Sequence, residues 1–312
     1  MTEIGKPNLE IFAETLLNQA QKNKNIIAVT SDSRGSGKLV HFGTELPDQI
    51  IEVGIAEQNL VGLSAGLAAG GKIVFAVSPA SFLTARSLEQ IKNDIAYSDQ
   101  PVALVGISAG ISYGQLGSTH HSLHDFAVLR TINNISIVAP ADNFEAAEVI
   151  KKAVNYNKPL YIRYGKKPMM NLPRNNNTFE IGKASLIKEG TDITLVATGE
   201  TVQRAYQASL ILKEKGLSAE VISMHTIKPF DDKMLINSIN KTMALVSVEE
   251  HSVYGGLGEC CSSIISQGEF NVKFKILGIP DEYMMNGSQS DVLDHYGMSP
   301  EGIAKTSLSL MD

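Results

Sequence analysis

Short, unbroken apolar runs alternate with stretches in which apolar residues recur every three or four positions, and the alternation continues along most of the chain. The runs at residues 26–30, 50–53, 73–77, 102–107, 136–139 and 160–164 are too short for helices and rich in β-branched residues, which predicts strands buried on both faces. Between them, residues 8–21, 57–69, 85–96 and 143–156 carry the spacing of helices. Strand and helix in strict alternation predict an α/β fold: an open, mostly parallel sheet with helices on both faces.

The rhythm breaks at Lys166-Lys167-Pro168-Met169-Met170-Asn171-Leu172-Pro173-Arg174-Asn175-Asn176-Asn177, where two prolines and four asparagines mark a linker. It then resumes, with strands expected at 193–197, 219–223, 243–248 and 272–276 and helices at 201–215, 232–239 and 258–267. The expected plan is therefore two doubly wound open sheets. A larger, mostly parallel domain spans 1–166, a linker 167–182, and a smaller mixed or parallel α/β domain 183–312.

Composition narrows the function classes. The 312 residues are 43% hydrophobic and 19% charged, the mix of an ordinary globular protein. A net charge of -6 without any block of like charges offers no footprint for nucleic acid and no basic segment for a membrane surface. No apolar run reaches the roughly 18 residues of a membrane span, and the first residues lack a signal-peptide core, so a cytoplasmic location is expected. The two cysteines are the adjacent pair Cys260-Cys261, which is poorly placed for a structural disulfide and is expected to be two buried free thiols.

Candidate chemistry concentrates in the first half. Glu57 opens a predicted helix in Gly54-Ile55-Ala56-Glu57-Gln58-Asn59-Leu60. A glutamate at that position complements the helix dipole by default. The glycines and alanines at 61–70 would, however, let this helix pack close to a neighbour and turn the carboxylate toward a partner instead of water. After the strand at 102–107, Gly110-Ile111-Ser112-Tyr113-Gly114-Gln115-Leu116-Gly117-Ser118-Thr119-His120-His121-Ser122-Leu123-His124-Asp125 is polar and glycine-rich, at a place where open α/β sheets put ligand loops. Its histidines lack the spacing of a strong metal site. Two further motifs fail: Gly66 to Ile73 resembles a phosphate loop but runs from helix to strand, and Gly255-Gly256-Leu257-Gly258 has Cys261 where a dinucleotide fingerprint needs glycine.

The segment around Glu57 resembles the thiamine diphosphate signature of the transketolase and 1-deoxyxylulose-5-phosphate synthase group, and the likeness extends to both sides. Residues 27–32 followed by Ser36 are similar to the family's strand-plus-aspartate turn. Residues 75–91 are similar to the segment that packs on the cofactor's pyrimidine ring. The run at 110–125 is similar to the family's Gly-x-x-Gly-x-Thr-His loop. The resemblance implies that Glu57 holds a proton against the pyrimidine N1′, which an apolar pocket favours by desolvating the carboxyl. It also implies that Pro79, Phe82 and Arg86 lie at the cofactor, and that His120 donates to the oxygens of the sugar. Ser36, Ser108, Leu116 and Arg163 fall at substrate positions, with Arg163 facing an anionic end through its guanidinium fork.

Departures from the family pattern bear on the substrate. Pro79 replaces a stacking phenylalanine, Ser108 a histidine, and Leu116 an aspartate that reads a sugar hydroxyl. A leucine leaves such a hydroxyl unpaired at a cost of roughly 1–3 kcal/mol, which implies an unusual anionic ketose, such as a sulfosugar or a branched sugar phosphate. The Gly-Asp-Gly stretch that supplies the family's magnesium site is missing from the sequence. The resemblance thus implies a split transketolase: this chain as the C-terminal subunit, and a separate N-terminal subunit holding the diphosphate and Mg2+, in a heterotetramer of two of each. Two other readings are the β subunit of a 2-oxoacid dehydrogenase and a non-catalytic scaffolding subunit.

Overall fold

The computed structural model describes residues 3–174 and 176–312. The strands are β1 (Ile4–Pro7), β2 (Ile26–Thr30), β3 (Ile50–Glu52), β4 (Ile73–Pro79), β5 (Val102–Ile107), β6 (Ser136–Val138) and β7 (Leu160–Arg163), followed by β8 (Pro168–Met170), β9 (Ser185–Lys188), β10 (Ile193–Ala197), β11 (Ala219–Ser223), β12 (Thr226–Lys228), β13 (Ala244–Ser252) and β14 (Lys273–Ile279). Seven of them form one sheet in the order β12-β6-β7-β5-β4-β2-β3. Five form a second, β14-β13-β10-β11-β9. All pairs of the first sheet are parallel except β12 on β6, and all of the second except β9 on β11. The expected α/β class and the two doubly wound sheets are what the chain adopts.

The two halves are more entangled than a linker between two domains suggests. Pro168–Met170 lies inside the expected linker, yet it pairs antiparallel with Ile4–Pro7. Thr226–Lys228, from the C-terminal half, adds the edge strand to the first sheet. One apolar core runs across the junction, from Leu129, Ile132 and Tyr161 to Met224, Ile227 and Leu257. The guanidinium of Arg174 reinforces it by bridging Asp142 and Glu145, all three largely buried. Cys260 and Cys261 are free and buried in the same core, and burial pushes the Cys260 thiol up to about 12.

Local sequence accounts for the helices that cover the first sheet. Asn143–Ala153 begins where the Asp142 side chain accepts from Glu145 N at 3.1 Å and ends with Lys151 and Lys152 in its last turn, a cap and a charge pattern that suit the helix dipole. Glu57–Ala69 buries Leu60, Val61, Ser64, Ala65 and Ala68 at spacings of three and four. Its glycines make no close approach among the described residues: a Cβ at Gly66 would meet open space, and one at Gly62 only Asp94 Oδ2 at 3.7 Å. The expected helix at 85–96 is instead three short segments, Ala80–Arg86, Leu88–Gln90 and Ile91–Tyr97, the last wound one residue wider per turn. Among the described residues no helix is long and apolar enough to cross a membrane.

Candidate active site

In an open parallel sheet the loops after the carboxyl ends of the strands gather at one edge, where ligands bind. The candidate residues lie on those loops. Ser36 follows β2, the helix of Glu57 follows β3, Pro79 closes β4 with Phe82 and Arg86 just beyond it, Ser108, Leu116 and His120 follow β5, and Arg163 closes β7. The approach to Glu57 is held by another glutamate: Glu52 accepts from Thr30 Oγ1 at 2.7 Å, Asp32 N at 2.6 Å and Gly54 N at 3.0 Å. Burial works against ionisation of Glu52, but these three donors outweigh it and lower its pKa. Gly54, at φ +72°, turns the chain in a left-handed conformation that side chains resist.

Glu57 does not cap its own helix. Ala56 occupies the cap position without a side-chain bond, and the Glu57 carboxylate, 4% exposed, receives Arg86 Nη1 on both oxygens at 3.0 Å. The Arg86 guanidinium lies over the Phe82 ring at 4.3 Å. His120 meets Phe82 edge-on with ring centroids 5.3 Å apart, and its other side meets Tyr113, also at 5.3 Å. The structure therefore strings Glu57, Arg86, Phe82, His120 and Tyr113 into one ladder contributed by three loops. His120 Nδ1 pairs with Thr119 Oγ1 at 3.0 Å, which leaves Nε2 for a ligand. An open cleft of about 590 Å3 fronts Glu57, lined by Ile55, Ala56, Glu57, Gln58, Asn59 and Arg86. A more enclosed cavity of about 380 Å3 lies beside His225 and the segment at 176–186, and it contains none of these residues.

Not every expected residue joins the ladder. Pro79 is buried and starts the helix that carries Phe82, so it acts on the site through the backbone. Ser36 Oγ folds back to Ser33 O at 3.3 Å, and Leu116 is 57% exposed. Ser108 is buried at φ +54°. Among the described residues its hydroxyl has no partner of good hydrogen-bond geometry, though it lies near enough to the Tyr113 phenol to oppose the upward push that burial gives that group.

Arg163 is the largest departure from expectation. Its guanidinium is buried at 7% exposure, giving Nε to Asp125 at 2.8 Å and Nη2 to the carbonyls of Ser122 and Glu250 at 3.0 and 2.7 Å. Tyr161 also donates to Asp125, at 2.8 Å. Those contacts tie the loop at 110–125 to β13 and leave Nη1 as the one guanidinium nitrogen outside them among the described residues.

The three histidines of the loop take separate partners. Whereas His120 faces the ladder, His121 Nε2 binds Gly114 O at 2.9 Å and His124 Nε2 meets Thr84 Oγ1 at 3.2 Å. Burial pulls the His121 pKa down, which suits a neutral ring. Gly110 sits at φ +61°, and a Cβ there would come within 2.5 Å of the Glu250 carboxyl, so glycine is required where the loop crosses the second domain. Tyr113 is not a sequence candidate, because a tyrosine among glycines carries no periodic signal; its place in the His120 loop is the cue that the sequence offers.

A carboxylate buried at the carboxyl edge of a parallel sheet, with an arginine and a stack of rings beside it, fronts an open cleft in this α/β chain. Residues 7–170 match the transketolase pyrimidine-binding domain and residues 182–303 the transketolase C-terminal domain. The chain is 46% identical over 301 residues to one of the subunits of an apulose-4-phosphate transketolase from Phocaeicola vulgatus, covering 96% of each. It is 33% identical over 296 residues to a 6-deoxy-6-sulfo-D-fructose transketolase subunit from a Clostridium species, covering 95% of this chain and 92% of that one. A solved split-gene transketolase in an inactive β4 tetramer matches with a TM-score of 0.87 at 32% identity, over 99% of this chain and all of that one. The chain belongs to the transketolase family, and its counterparts are the C-terminal subunits of split enzymes.

Proposed function

We propose that this chain is the pyrimidine-binding subunit of a two-chain, thiamine diphosphate-dependent transketolase that moves a two-carbon ketol unit from an anionic ketose to an aldose. The observation that carries this reading is the buried Glu57 carboxylate opening on the cleft with Arg86, Phe82 and His120 beside it. The residues fit the pyrimidine end of the cofactor: a desolvated carboxylate can hold a proton at a ring nitrogen, and the Ile55 and Ala56 side of the cleft offers apolar contact. When bound, thiamine diphosphate supplies the carbon nucleophile that accepts the ketol unit.

The chain's own residues supply orientation and proton handling. Arg86 fixes both oxygens of Glu57, and because it is half exposed it can give way as the carboxylate turns to a ring nitrogen. Phe82 supports the guanidinium from behind. With Nδ1 accepting from the Thr119 hydroxyl, His120 donates through Nε2 to an oxygen of the sugar as negative charge develops on it. Diphosphate and Mg2+ are assigned to the N-terminal partner subunit, because the sequence lacks Gly-Asp-Gly, and the expected assembly is a heterotetramer in the cytoplasm. The relative solved as a β4 tetramer is described as inactive, which agrees with a site that needs a second kind of chain. Relatives named for apulose 4-phosphate and 6-deoxy-6-sulfo-D-fructose support a non-standard ketose, as Leu116 and Ser108 imply.

The test is reconstitution with the diphosphate-binding chain, thiamine diphosphate, Mg2+ and a panel of phosphorylated and sulfonated ketoses. Ketol transfer to an aldose is expected only with both chains present. A complete mixture that releases no shortened aldose from any donor would defeat the proposal.

A further inference from the structure

The ladder that begins at Glu57 continues one rung past Tyr113. Lys166 Nζ stands 3.9 Å from the centre of the Tyr113 ring, three residues beyond the end of β7. The side chain is half-buried, and among the described residues no carboxylate lies within ion-pair distance of it. The charge that bears on it is another cation, Lys38, which stands two positions after Ser36 and pairs with Glu10 at 3.3 Å. Burial first, and Lys38 second, pull the Lys166 pKa down. A half-desolvated ammonium held only by a ring face and opposed by a like charge lacks the anion that would balance it. Arg163, the cation expected to meet an anionic substrate, has Nε and Nη2 committed to Asp125, Ser122 and Glu250.

We propose that Lys166 seats the tetrahedral oxyanion at the far end of the donor ketose, one ring beyond His120. This seat rests on the reading of the cleft as a ketol-transfer site. Glu57 lies at one end of the ladder and Lys166 at the other, so the ladder sets the reacting end of the sugar apart from its charged end. An ammonium is a point charge that accepts either phosphate or sulfonate, since it demands no planar, two-point match. The seat is therefore a determinant of charge preference and leaves the branching of the sugar to other contacts.

The test compares, in the assembled two-chain complex, kcat/KM for a ketose carrying a terminal phosphate, its sulfonate analogue and the same ketose without either. Lys166→Met is expected to reduce the preference for the charged donor by on the order of tenfold, through KM more than kcat, and Lys166→Arg to restore part of it. Lys167→Met, one position along and exposed, serves as the control and should keep the wild-type preference. Loss with the phosphate arm or the sulfonate arm alone would identify which oxyanion the seat takes. An unchanged preference in an active Lys166→Met complex would overturn the assignment. If the wild-type complex turns over no donor, the transferase reading fails, and the seat is judged by titrating the complex with inorganic phosphate and sulfate. Weaker binding in Lys166→Met would support it, and equal binding would refute it.

Discussion

Arg86 reaches both carboxylate oxygens of Glu57 at 3.0 Å, although the two residues come from helices that follow different strands of the sheet. The contact turns a glutamate that could have capped its helix into one that is aimed and oriented. It joins the carboxylate to the aromatic stack, since the same guanidinium lies over Phe82. Because Arg86 is half exposed, solvent screens the pair, and its contribution to stability is about 1 kcal/mol or less.

Arg86→Ala is therefore expected to lower the melting temperature only slightly while reducing turnover of the assembled complex by on the order of tenfold, as an unanchored Glu57 samples other rotamers. Arg86→Lys should recover part of the activity. Steady-state rates alongside thermal unfolding check this: a large stability loss with normal turnover would mean that the pair is structural.

Arg163 makes the opposite prediction. It and Asp125 are buried together, and Tyr161 completes the set. Removing one partner leaves an uncompensated buried charge, so Arg163→Met should cost about 3–5 kcal/mol of stability. Lysine should not rescue it, having no Nε and Nη2 fork to reach Asp125 and the two carbonyls together. Chemical denaturation of Arg163→Lys measures this. A stable Arg163→Lys protein with a raised KM for charged donors would return Arg163 to the substrate.

The junction with the second domain carries a pH dependence. Glu200 and Glu250 both accept from the single amide of Gln289, at 3.2 and 2.8 Å. Burial, and then the neighbouring Glu250, push the Glu200 pKa up to about 8. The folded chain thus holds a proton that the unfolded chain has already lost above the ordinary carboxyl range. The stability this confers is full below that range and declines as pH rises toward 8. Glu249, raised by burial to about 7, adds to the same slope. Burial lowers His251 to about 4, which acts only on the acid side, where stability rises with pH up to the ordinary histidine range.

Glu200→Gln should therefore melt close to wild type near pH 4 and above it near pH 8.5, with the gap opening as pH rises, because the amide has no proton to lose on unfolding. Differential scanning calorimetry at the two pH values decides. A variant that tracks wild type at both would show that Glu200 does not titrate in this window.

The sequence revealed elements that stand on local pattern alone. Residues 26–30, 102–107, 193–197 and 219–223 are buried throughout and apolar apart from Thr30, Thr194, Glu220 and Ser223, because helices cover both faces of their sheets, and the strands fall at those residues. Pro168–Met170 and Thr226–Lys228 were hidden: each is three residues long, at an edge, with a partner far along the chain. The final helices, Gln289–His295 and Pro300–Met311, did leave a trace in the caps Ser288 and Ser299. At the site, the resemblance to the transketolase motifs singled out Glu57, Phe82 and His120, because those motifs are local stretches of sequence. The direction of Arg163 depends on Asp125, and the ring beneath Lys166 belongs to the loop after β5; neither could be read from neighbours in sequence.

Turnover by the reconstituted two-chain complex carrying Glu57→Gln tests the central claim most directly. The amide keeps the shape of the side chain but cannot hold an acid proton against a ring nitrogen, so ketol transfer should fall by on the order of 100-fold or more, with folding and subunit association retained. Transfer within about twofold of wild type would contradict the account, since the carboxylate would then have no part in the chemistry.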